Sequence, residues 1–435
     1  MDKAQEQVNA FLQNQHMDPA EVSIDALCRD FIKAMEQGLT GGQGSLAMLP
    51  TYIEINRPIP SDEPVIVMDA GGTHFRVAVV RFQTHGGPSI DHLETYTMPG
   101  LKTEVSQETF FTTMVDYLRP VLDASDRVGF CFSYPVEMGP DKDGKLLVFS
   151  KEIKAPEVVG QRIGSNLNAA IQHMGCGNPK QIVLLNDTVA TLLAGRGNAQ
   201  AREHDSYIGF ILGTGTNTSY VESNSQIPKV RDLDPAGHQI INVESGGFSQ
   251  APRGQIDLQL DAASNNPGVH RFEKMISGAY LGQVCLRTLQ AAAQAGLFTP
   301  TTQQAFQALT QLETKDVSVF LAHPLGQTDP LSQACDQESD HVTLYYLLDA
   351  LLERAAKFTA ANLCSAVLKS GKGLNPCRPV GIVAEGTTFY KLTSLRPRVE
   401  YHLRQYLTEQ RGLHWEILNL DNATLIGAAI AGLTN

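Results

Sequence analysis

The segment that decides the fold occupies residues 67–76 and reads Val-Met-Asp-Ala-Gly-Gly-Thr-His-Phe-Arg. Apolar runs at 65–68 and 77–82 flank it, which predicts two strands joined by a tight hairpin. Its glycines let the backbone approach an anion closely, so that N–H groups can point at phosphate oxygens. Asp69, at the end of the first strand, can hold Mg²⁺ through water. The segment alone also fits an ordinary Gly-Gly hairpin with a solvated aspartate, so both interpretations stay open here.

The composition predicts a globular protein of two or more domains with an acidic surface. The chain has 435 residues, of which 42% are hydrophobic and 18% are charged, and its formal net charge is −12. That length suits domains of roughly 100–200 residues. Because nucleic-acid-binding proteins normally carry a basic surface, we expect no nucleic-acid partner, although a local basic pocket for nucleotide phosphates is compatible with this net charge.

Sequence features typical of membrane insertion or secretion are not seen. No apolar run approaches the roughly 20 residues that a membrane helix needs, and residues 1–6 lack the layout of a signal peptide. The seven cysteines include no Cys-x-x-Cys pair, which favours reduced thiols. We expect Cys28, Cys131 and Cys364 to be small core residues. The expectation is a cytoplasmic protein without a membrane partner; the sequence leaves open whether it is a monomer or a homodimer.

Alternating strand and helix patterns predict an α/β architecture. Residues 1–45 look helical and amphipathic. No internal sequence repeat is visible, but the layout suggests two α/β units, each opening with a strand–turn–strand phosphate loop. Predicted strands lie at 65–68, 77–82, 128–132, 182–185, 207–212, 218–222, 380–383 and 416–420, and predicted helices at 163–174, 272–293, 344–368, 397–410 and 425–433.

A second candidate phosphate loop reads Gly-Thr-Gly-Thr-Asn at residues 213–217. It follows the predicted strand at 207–212 and again places glycines and hydroxyls at a strand end. The loop lacks the third glycine of a dinucleotide fingerprint, and the chain contains no Gly-x-x-x-x-Gly-Lys-Ser/Thr P-loop. Gly-Thr-Gly occurs in many turns, but two such loops in one chain fit a nucleotide held between two similar domains.

Three polar sites follow apolar strands between the two loops. They lie at Ser133, at Ser150-Lys151 and at Asn186-Asp187. Asp187 ends a predicted strand and opens an apolar helix, where it can cap the helix or accept a proton from an attacking hydroxyl. Lys151 is either a surface lysine or, near phosphates, a group that offsets charge on a transferred phosphoryl group. The residues themselves leave these alternatives open.

Acids further along the chain suggest a site for a polyol. Glu244 and Glu273 each stand beside a glycine or an aromatic residue, and singly each is more simply a surface acid. Together with Asn186 and Asn217 they provide the amide and carboxylate groups that a ring of hydroxyls needs, and a buried polar site of this kind discriminates strongly between substrates. The twelve histidines show no metal-binding spacing, so each is interpreted as structural or exposed.

Taken in order, these motifs resemble the eukaryotic-type hexokinase family from about residue 48 to the C-terminus. The matching segments are Asp69-x-Gly71-Gly72-Thr73-x-Phe75-Arg76, Phe132-Ser133-Tyr134-Pro135, Ser150-Lys151, Asn186-Asp187-Thr188, Gly213-Thr214-Gly215-x-Asn217, Glu244, Pro267-Gly268 with Phe272-Glu273-Lys274, and Ser277-Gly278-x-Tyr280-Leu281-Gly282. The resemblance implies a two-domain α/β actin-like ATPase (ribonuclease H-like) fold with a cleft between a small and a large domain. We assign the small domain to 65–186 plus 421–435 and the large domain to 1–60 plus 190–418, with hinges near 184–189 and 418–422.

The resemblance also implies roles for individual residues. Asp187 would be the catalytic base that takes the proton of the hexose C6 hydroxyl, with Lys151 and Arg76 near the phosphoryl group. The hexose would be held by Ser133, Ser150, Lys151, Asn186, Asp187, Asn217, Glu244 and Glu273. Contacts to ATP would come from Asp69 through water-bound Mg²⁺, and from Gly71, Gly72, Thr73, Arg76, Thr214, Gly215, Gly386 and Thr387, the last two near the adenosine.

The chain departs from the family pattern at several positions. His74 stands where asparagine is usual, Ser150 where threonine is usual, and Ser245 where tryptophan commonly follows the sugar-binding glutamate. Glu385 replaces an aspartate, and residues 421–427 replace a Gly-Ser-Gly turn. The last two changes leave nucleotide preference open. The serine leaves sugar selectivity open, because one wall of the pocket would be smaller.

The function predicted from the sequence is ATP-dependent phosphorylation of a hexose, glucose in the first place, at the C6 hydroxyl to give hexose 6-phosphate and ADP. One alternative is a kinase restricted to another hexose or an amino sugar. Another is a non-catalytic hexose sensor, against which Asp187 and Lys151 argue because a sensor needs no base aimed at C6. An actin-like or chaperone ATPase would have no use for the set of asparagines and glutamates.

Overall fold

The computed structural model describes residues 3–84, 86–149, 153–197 and 203–435. Ser150 and Lys151, both predicted for the site, fall outside these ranges. Among the helices in the described ranges, none combines the length and the apolar character that crossing a membrane requires.

Two mixed β-sheets form the framework. Their strands and those of a small ribbon are β1 (Leu49–Pro50), β2 (Val65–Gly71), β3 (His74–Phe82), β4 (Pro88–Thr97), β5 (Arg127–Phe132), β6 (Val136–Met138), β7 (Gly144–Leu146), β8 (Gln181–Leu185), β9 (Ser206–Leu212), β10 (Thr216–Ser223), β11 (His238–Asn242), β12 (Val380–Glu385) and β13 (Trp415–Leu418). The first sheet has the order β4-β3-β2-β5-β8 and the second has the order β1-β11-β10-β9-β12-β13. Strands β6 and β7 pair only with each other.

The two sheets repeat one topology, although the sequence shows no repeat. In the first sheet, β2 and β3 form an antiparallel hairpin, β4 extends it, and β5 and β8 add in parallel on the other side of β2. In the second sheet, β9, β10 and β11 repeat this antiparallel arrangement, and β12 and β13 add in parallel beside β9. The two α/β units expected from the sequence are therefore present.

Helices surround both sheets. They are α1 (Lys3–Asn14), α2 (Ile24–Leu39), α3 (Gln107–Leu118), α4 (Ile163–His173), α5 (Asp187–Gly197), α6 (Gln255–Ala262), α7 (Glu273–Ile276), α8 (Leu281–Gln294), α9 (Pro300–Ala308), α10 (Thr314–Ala322), α11 (Pro330–Ala334), α12 (Glu338–Ser370), α13 (Thr387–Lys391), α14 (Leu395–Leu403) and α15 (Ala423–Thr434). Single turns of 3₁₀ helix lie between several of these elements, and a π-helical segment, Arg404–Glu409, continues α14.

Local sequence explains where several helices begin and end. The Ser23 hydroxyl precedes α2 and accepts the N–H of Ala26 at 3.3 Å, and the Ser106 hydroxyl accepts the N–H of Thr109 at 3.1 Å at the start of α3. Caps of this kind stabilise a helix by about 1 kcal/mol. Helix α12 ends at Gly371, whose φ of +64° is a left-handed conformation that glycine adopts without strain.

Three hydrophobic clusters fill the space around the sheets. The first packs α1, α2, α8 and α12 against the second sheet, and the second packs α3 and α4 against the first sheet. The third lies around α5 and α15, which follow the last strands of the two sheets, β8 and β13. These two helices cross closely, because a Cβ on Gly427 would lie 1.8 Å from the carbonyl oxygen of Ala190. The third cluster therefore joins the two repeats.

The structure confirms the α/β architecture and most of the predicted elements, with shifted ends. Cys28, Cys131 and Cys364 are buried, as expected. Strand β4 carried no sequence signal because most of its residues are exposed and no apolar face alternates along it. Confirmed segments are those at 65–68, 77–82, 128–132, 163–174, 182–185, 207–212, 218–222, 344–368, 380–383 and 425–433, and the strand predicted at 416–420 ends earlier, in β13.

The single helix predicted at 272–293 is wrong, because the chain forms α7 and α8 with a break between them. At this break the N–H groups of Gly278 and Ala279 donate to the carbonyl oxygens of Gly213 and Thr214, at 2.8 Å and 3.1 Å. Hydrogen bonds to the second hairpin thus replace those of a continuous helix. The helix predicted at 397–410 is also divided, into α14 and the π-helical segment.

Candidate active site

Residues from both sheets line one cavity of about 670 Å³. The side chains come from the ends of strands β5 and β8 in the first sheet, from the β9–β10 hairpin and β11 in the second, and from α7. Tyr134, Asn266 and His270, to which the sequence analysis gave no role, also lie in its wall. The predicted residues that the structure brings together here are Ser133, Asn186, Asp187, Thr214, Gly215, Asn217, Glu244 and Glu273.

Asp187 is the first residue of α5 and lies in the wall of this cavity. Its Oδ1 accepts the backbone N–H of Thr188 at 2.8 Å and the Thr188 hydroxyl at 3.3 Å. The same N–H also donates to Asn186 Oδ1 at 2.9 Å. Asn186 Oδ1 therefore caps the start of the helix, while the Asp187 carboxylate accepts hydrogen bonds from Thr188 and lines the cavity.

Glu244 is held by two asparagines. Its Oε1 accepts Asn242 Nδ2 at 2.8 Å and Asn217 Nδ2 at 3.4 Å, and Asn217 Nδ2 also donates to Asn242 Oδ1 at 2.7 Å. Burial raises the pKa of Glu244 above its ordinary value, the hydrogen bonds from the asparagines lower it, and the nearby charges of Asp187 and Glu273 raise it. The cavity thus gathers three carboxyl groups whose charges interact.

The backbone is strained at two points of the cavity wall. Glu244 has φ of +57° and ψ of +49°, and His270 has φ of +51°. Non-glycine residues rarely adopt this left-handed region. Such conformations cost about 1–3 kcal/mol each and concentrate at functional sites. At Glu244 the strained residue turns the chain from β11 into the short turn Ser245–Gly247.

Glu273 fastens the tip of the second hairpin. Its Oε2 accepts the backbone N–H of Thr216 at 2.9 Å. A Cβ on Gly215 would lie 2.5 Å from the same oxygen. Glycine at position 215 is therefore what lets the carboxylate reach the hairpin backbone.

Ser245, which stands where the family commonly has tryptophan, is fully buried. Its hydroxyl lies 3.2 Å from the Thr218 hydroxyl and accepts Asn362 Nδ2 of α12 at 3.5 Å. The serine therefore belongs to a buried polar network behind the cavity. Beside Glu244, the cavity wall is formed by Gly246.

The first hairpin carries an ion pair close to its turn. Asp69 and Arg76 lie opposite each other on β2 and β3, and Arg76 donates Nη2 and, at 3.1 Å, Nε to Asp69 Oδ2. The Thr424 hydroxyl of α15 accepts from Arg76 at 2.9 Å and donates to Asp69 at 3.1 Å. The turn itself contains Gly72, with φ of +69°, whose carbonyl oxygen accepts the Tyr134 hydroxyl at 3.1 Å. The predicted phosphate loop is thus anchored to α15 and to the cavity wall.

Glu385, at the end of β12, lies near the same ion pair. Burial raises its pKa; the charge of Arg76 and the N–H of Ala423 lower it, and Asp69 and Asp421 raise it. Glu385 therefore interacts electrostatically with Arg76, Asp69 and Asp421. In the described ranges no group of three or more histidine, cysteine or acidic side chains is arranged to hold a metal ion. The oxygen donors present do fit Mg²⁺, which takes few protein carboxylates and completes its shell with water and substrate phosphates.

The second hairpin loop is supported from two sides. The carbonyl oxygen of Gly213 accepts the Gly278 N–H and the Thr388 hydroxyl, both at 2.8 Å. Gly386 has φ of +116°, and a Cβ there would lie 2.2 Å from the carbonyl oxygen of Leu212. The predicted Gly386 therefore packs beneath the loop and fixes its position.

A second cavity, of about 640 Å³, adjoins the first. Thr214 and Ala279 line both cavities, and the predicted Thr387 lies in the wall of the second. The N-terminal end of α10 also faces it, with the Glu313 carboxylate at the N-cap position paired to Lys315 Nζ at 2.8 Å. Sequence reasoning missed these residues because a Thr-Lys pair at a helix start is too common a signal; they are Thr314, Lys315 and Ser318.

The remaining predicted residues lie in the first hairpin, outside the walls of both cavities. They are near the first cavity, since a Cβ on Gly71 would lie 3.5 Å from Ser133 Oγ. Ser150 and Lys151 lie outside the described residues, so their roles stay predictions. The residues of this group are Asp69, Gly71, Gly72, Thr73 and Arg76.

Family models described as hexokinase match residues 7–196 and 207–434. The chain is 28% identical to Hexokinase-7 of Oryza sativa subsp. japonica, over 98% of this chain and 96% of that protein. It is 27% identical to Hexokinase-1 of Schizosaccharomyces pombe, over 96% and 89%. It is 30% identical to Hexokinase-5 of Oryza sativa subsp. japonica, over 79% and 72%.

Solved structures show the same fold. A hexokinase from Schistosoma mansoni complexed with glucose superposes with a TM-score of 0.78, at 21% identity, over 99% of this chain and 100% of that chain. A second hexokinase crystal structure gives a TM-score of 0.75, also at 21% identity, over 98% and 99%. The predicted actin-like ATPase fold is thereby confirmed.

Proposed function

This chain belongs to the hexokinase family, and from that premise we propose that it transfers the γ-phosphoryl group of ATP to the C6 hydroxyl of glucose, giving glucose 6-phosphate and ADP. Phosphotransfer to a hexose is the activity of the family. The choice of sugar, of reacting hydroxyl and of acting residues goes beyond membership of the family. The observation that carries this choice is that Asp187 lines one cavity together with Asn217, Glu244 and the Thr214 loop.

The hexose is assigned to the cavity of about 670 Å³. Carboxylates of Glu244 and Glu273 accept hydrogen bonds from sugar hydroxyls, and such charge-assisted bonds are stronger than neutral ones. Amides of Asn186 and Asn217 can both donate and accept. The hydrogen bonds between Asn217, Asn242 and Glu244 orient these groups before a sugar binds. A sugar that lacks one hydroxyl leaves a polar group unpaired, which gives selectivity.

Asp187 is assigned as the general base. Its carboxylate takes the proton of the C6 hydroxyl as that oxygen attacks the phosphorus atom. Phosphoryl transfer passes through a loose transition state, so positioning and electrostatics dominate. Correct orientation of the two substrates can supply up to about 7–11 kcal/mol of the barrier reduction. The hydrogen bonds from Thr188 hold the carboxylate in place for this role.

The nucleotide is assigned to the cavity of about 640 Å³, with its phosphates directed through the shared Thr214 towards the hexose. The backbones at Gly71–Thr73 and Thr214–Gly215 then lie on two sides of the phosphates, and Arg76 and Lys151 offset their charge. Mg²⁺ carried by the nucleotide would neutralise phosphate charge, with Asp69 holding it through water. Closure at the predicted hinges near 184–189 and 418–422 would exclude water that competes with the sugar.

Steady-state turnover with ATP tests this assignment. ADP production is measured with glucose, mannose, fructose and glucosamine, each with and without Mg²⁺. We expect the highest kcat/KM with glucose and no turnover without Mg²⁺. Turnover with fructose or glucosamine only would show that glucose is not the substrate. Glucose binding without glucose-dependent ADP production would show that the protein is a glucose sensor and not a kinase.

A further inference from the structure

A third cavity, of about 490 Å³, adjoins the hexose and nucleotide cavities. We name it the Arg287 chamber. It shares Asn266, Ala279 and Tyr280 with the hexose cavity, and Ala279 and Gln283 with the nucleotide cavity. Its polar wall consists of Ser264, Asn265, Asn266, Tyr280, Gln283 and Arg287.

Arg287 carries the charge of this chamber. It lies four residues after Gln283 on α8, so the two side chains share one face of the helix. Within the described part of the chain Arg287 forms no ion pair or hydrogen bond, and its Nε is buried without a partner. Buried polar groups are normally paired, so an unmatched guanidinium nitrogen at a cavity wall needs an explanation. A shortage of acidic residues cannot explain why Arg287 is unpaired, because the chain has 46 acidic and 34 basic residues.

The rest of the chamber wall is neutral. Among the described residues that line it, none carries a carboxylate, and the polar groups beside Arg287 are mainly the side-chain amides of Asn265, Asn266 and Gln283. Asp261, on the neighbouring helix α6, is already engaged: its Oδ1 accepts Lys274 Nζ at 2.7 Å and the Gly268 N–H at 3.0 Å. The chamber therefore combines one uncompensated positive charge with several amide donors.

We propose that the Arg287 chamber is an anion subsite that binds the phosphate group of a small polar molecule beside the hexose and nucleotide cavities. A guanidinium presents a planar fork of donors that matches phosphate oxygens, and amides add further donors. The volume lies within the roughly 300–1,000 Å³ of small-molecule sites. The phosphate can belong to a hexose phosphate or be free inorganic phosphate. The choice of hexose phosphate as a probe rests on the proposed function; the anion subsite does not.

Calorimetric titration of the full chain tests the subsite. Inorganic phosphate and glucose 6-phosphate are each titrated into protein whose hexose cavity is saturated with glucose. A third titration, of glucose alone, serves as the reference. Removing an arginine–phosphate contact weakens binding by roughly 10- to 100-fold. We expect Arg287→Gln to weaken binding of the phosphate probes by that factor and Arg287→Lys to weaken it less. The matched control Arg404→Gln changes an exposed arginine that lines none of the three cavities, and should have no effect.

Each outcome of these titrations either supports or overturns the subsite. Equal, Arg287-dependent affinity for both phosphate probes supports the subsite and assigns it to the phosphate alone, whereas tighter binding of glucose 6-phosphate supports it and assigns the sugar to the amides. Unchanged affinity in Arg287→Gln, or failure of the wild type to bind either probe, overturns it. Circular dichroism and the Tm of both Arg287 variants identify misfolding, and Arg287→Lys keeps the charge if the glutamine variant unfolds. Since binding is measured rather than turnover, failure of the proposed reaction leaves this result interpretable.

Discussion

Hairpins β2–β3 and β9–β10 occupy equivalent places in the two sheets. Near the turn of the first, Asp69 faces Arg76 across the two strands, whereas near the turn of the second, Ile211 faces Asn217. The first hairpin therefore presents charge, and the second presents an amide beside an apolar side chain. In the proposed function the first hairpin therefore lies beside the metal-bound phosphates, whereas the second contributes Thr214 and Gly215 to the phosphates and Asn217 to the hexose.

The two hairpins also differ in how they are held. In the first, both partners of the ion pair belong to the hairpin, and Thr424 of α15 bridges them. In the second, the carboxylate comes from outside: Glu273 of α7 reaches the Thr216 N–H. The site is asymmetric because groups distant in sequence attach to each hairpin differently, while the strand order is the same.

The largest expected effect concerns Asp187, which belongs to neither hairpin. Asp187→Asn keeps an oxygen that can accept from Thr188 but removes the base, so kcat should fall by roughly 10²–10⁴-fold while the Kd for glucose stays largely unchanged. Turnover is measured by ADP production and binding by intrinsic fluorescence. Asp123→Asn, an exposed acid, is the control. Near-wild-type turnover in Asp187→Asn would show that Asp187 is not the general base.

Three further variants test whether the two hairpin regions divide the substrates between them. Glu244→Gln or Glu273→Gln should raise the glucose KM by about 10- to 100-fold, with a smaller effect on the ATP KM, because each removes a charged acceptor. Asp69→Asn should instead raise the Mg²⁺ and ATP required for half-maximal turnover and leave the glucose Kd unchanged. Equal effects on both substrates in all three variants would contradict this division.

Glycine substitutions sharpen the comparison of the two turns. Gly215→Ala places a Cβ 2.5 Å from Glu273 Oε2, so the flexible carboxylate must move, and the glucose affinity should fall by roughly 2- to 10-fold with little change in Tm. Gly71→Ala meets only ordinary contacts, at 3.5 Å and 3.6 Å, so the glucose affinity should not change. Gly87→Ala, with no atom within 4 Å of the added Cβ, is the control. A similar loss of glucose affinity in both turn variants would show that the turns are equivalent.

The smallest expected effect is a pH dependence of stability that arises at Glu244. Its pKa in the folded protein lies above the ordinary value of 4.5, so the folded state holds this proton more tightly than the unfolded state. The resulting stabilisation is complete below the ordinary pKa and is lost as the pH rises through the folded pKa. Glutamine does not titrate, so the Glu244→Gln variant does not lose stability in this way. The Tm of the variant minus the Tm of the wild type should therefore increase between about pH 4 and pH 7. A Tm difference that is constant or decreases would contradict the raised pKa.

The sequence predicted the parts of the site that depend on short segments. The first hairpin follows from two apolar runs and adjacent glycines, and Asp187 at a helix start follows from Asn-Asp placed directly after an apolar strand. The break between α7 and α8 was not predictable, because it depends on hydrogen bonds from Gly278 and Ala279 to a loop more than 60 residues earlier. The residues at the start of α10 were missed for a different reason, because a Thr-Lys pair at a helix start is too common a signal.

By itself, the sequence determined the central apolar strands, the two glycine-rich turns and the order of the polar motifs, because these depend on side-chain periodicity and on φ preferences over a few residues. Only the tertiary structure decided that Glu273 reaches the second hairpin, that Ser245 points into a polar network with α12, and that Arg287 is left without a partner among the described residues. Distances between groups far apart in the chain, and the loss of water around them, are set by the packing of the whole molecule, which no local pattern encodes.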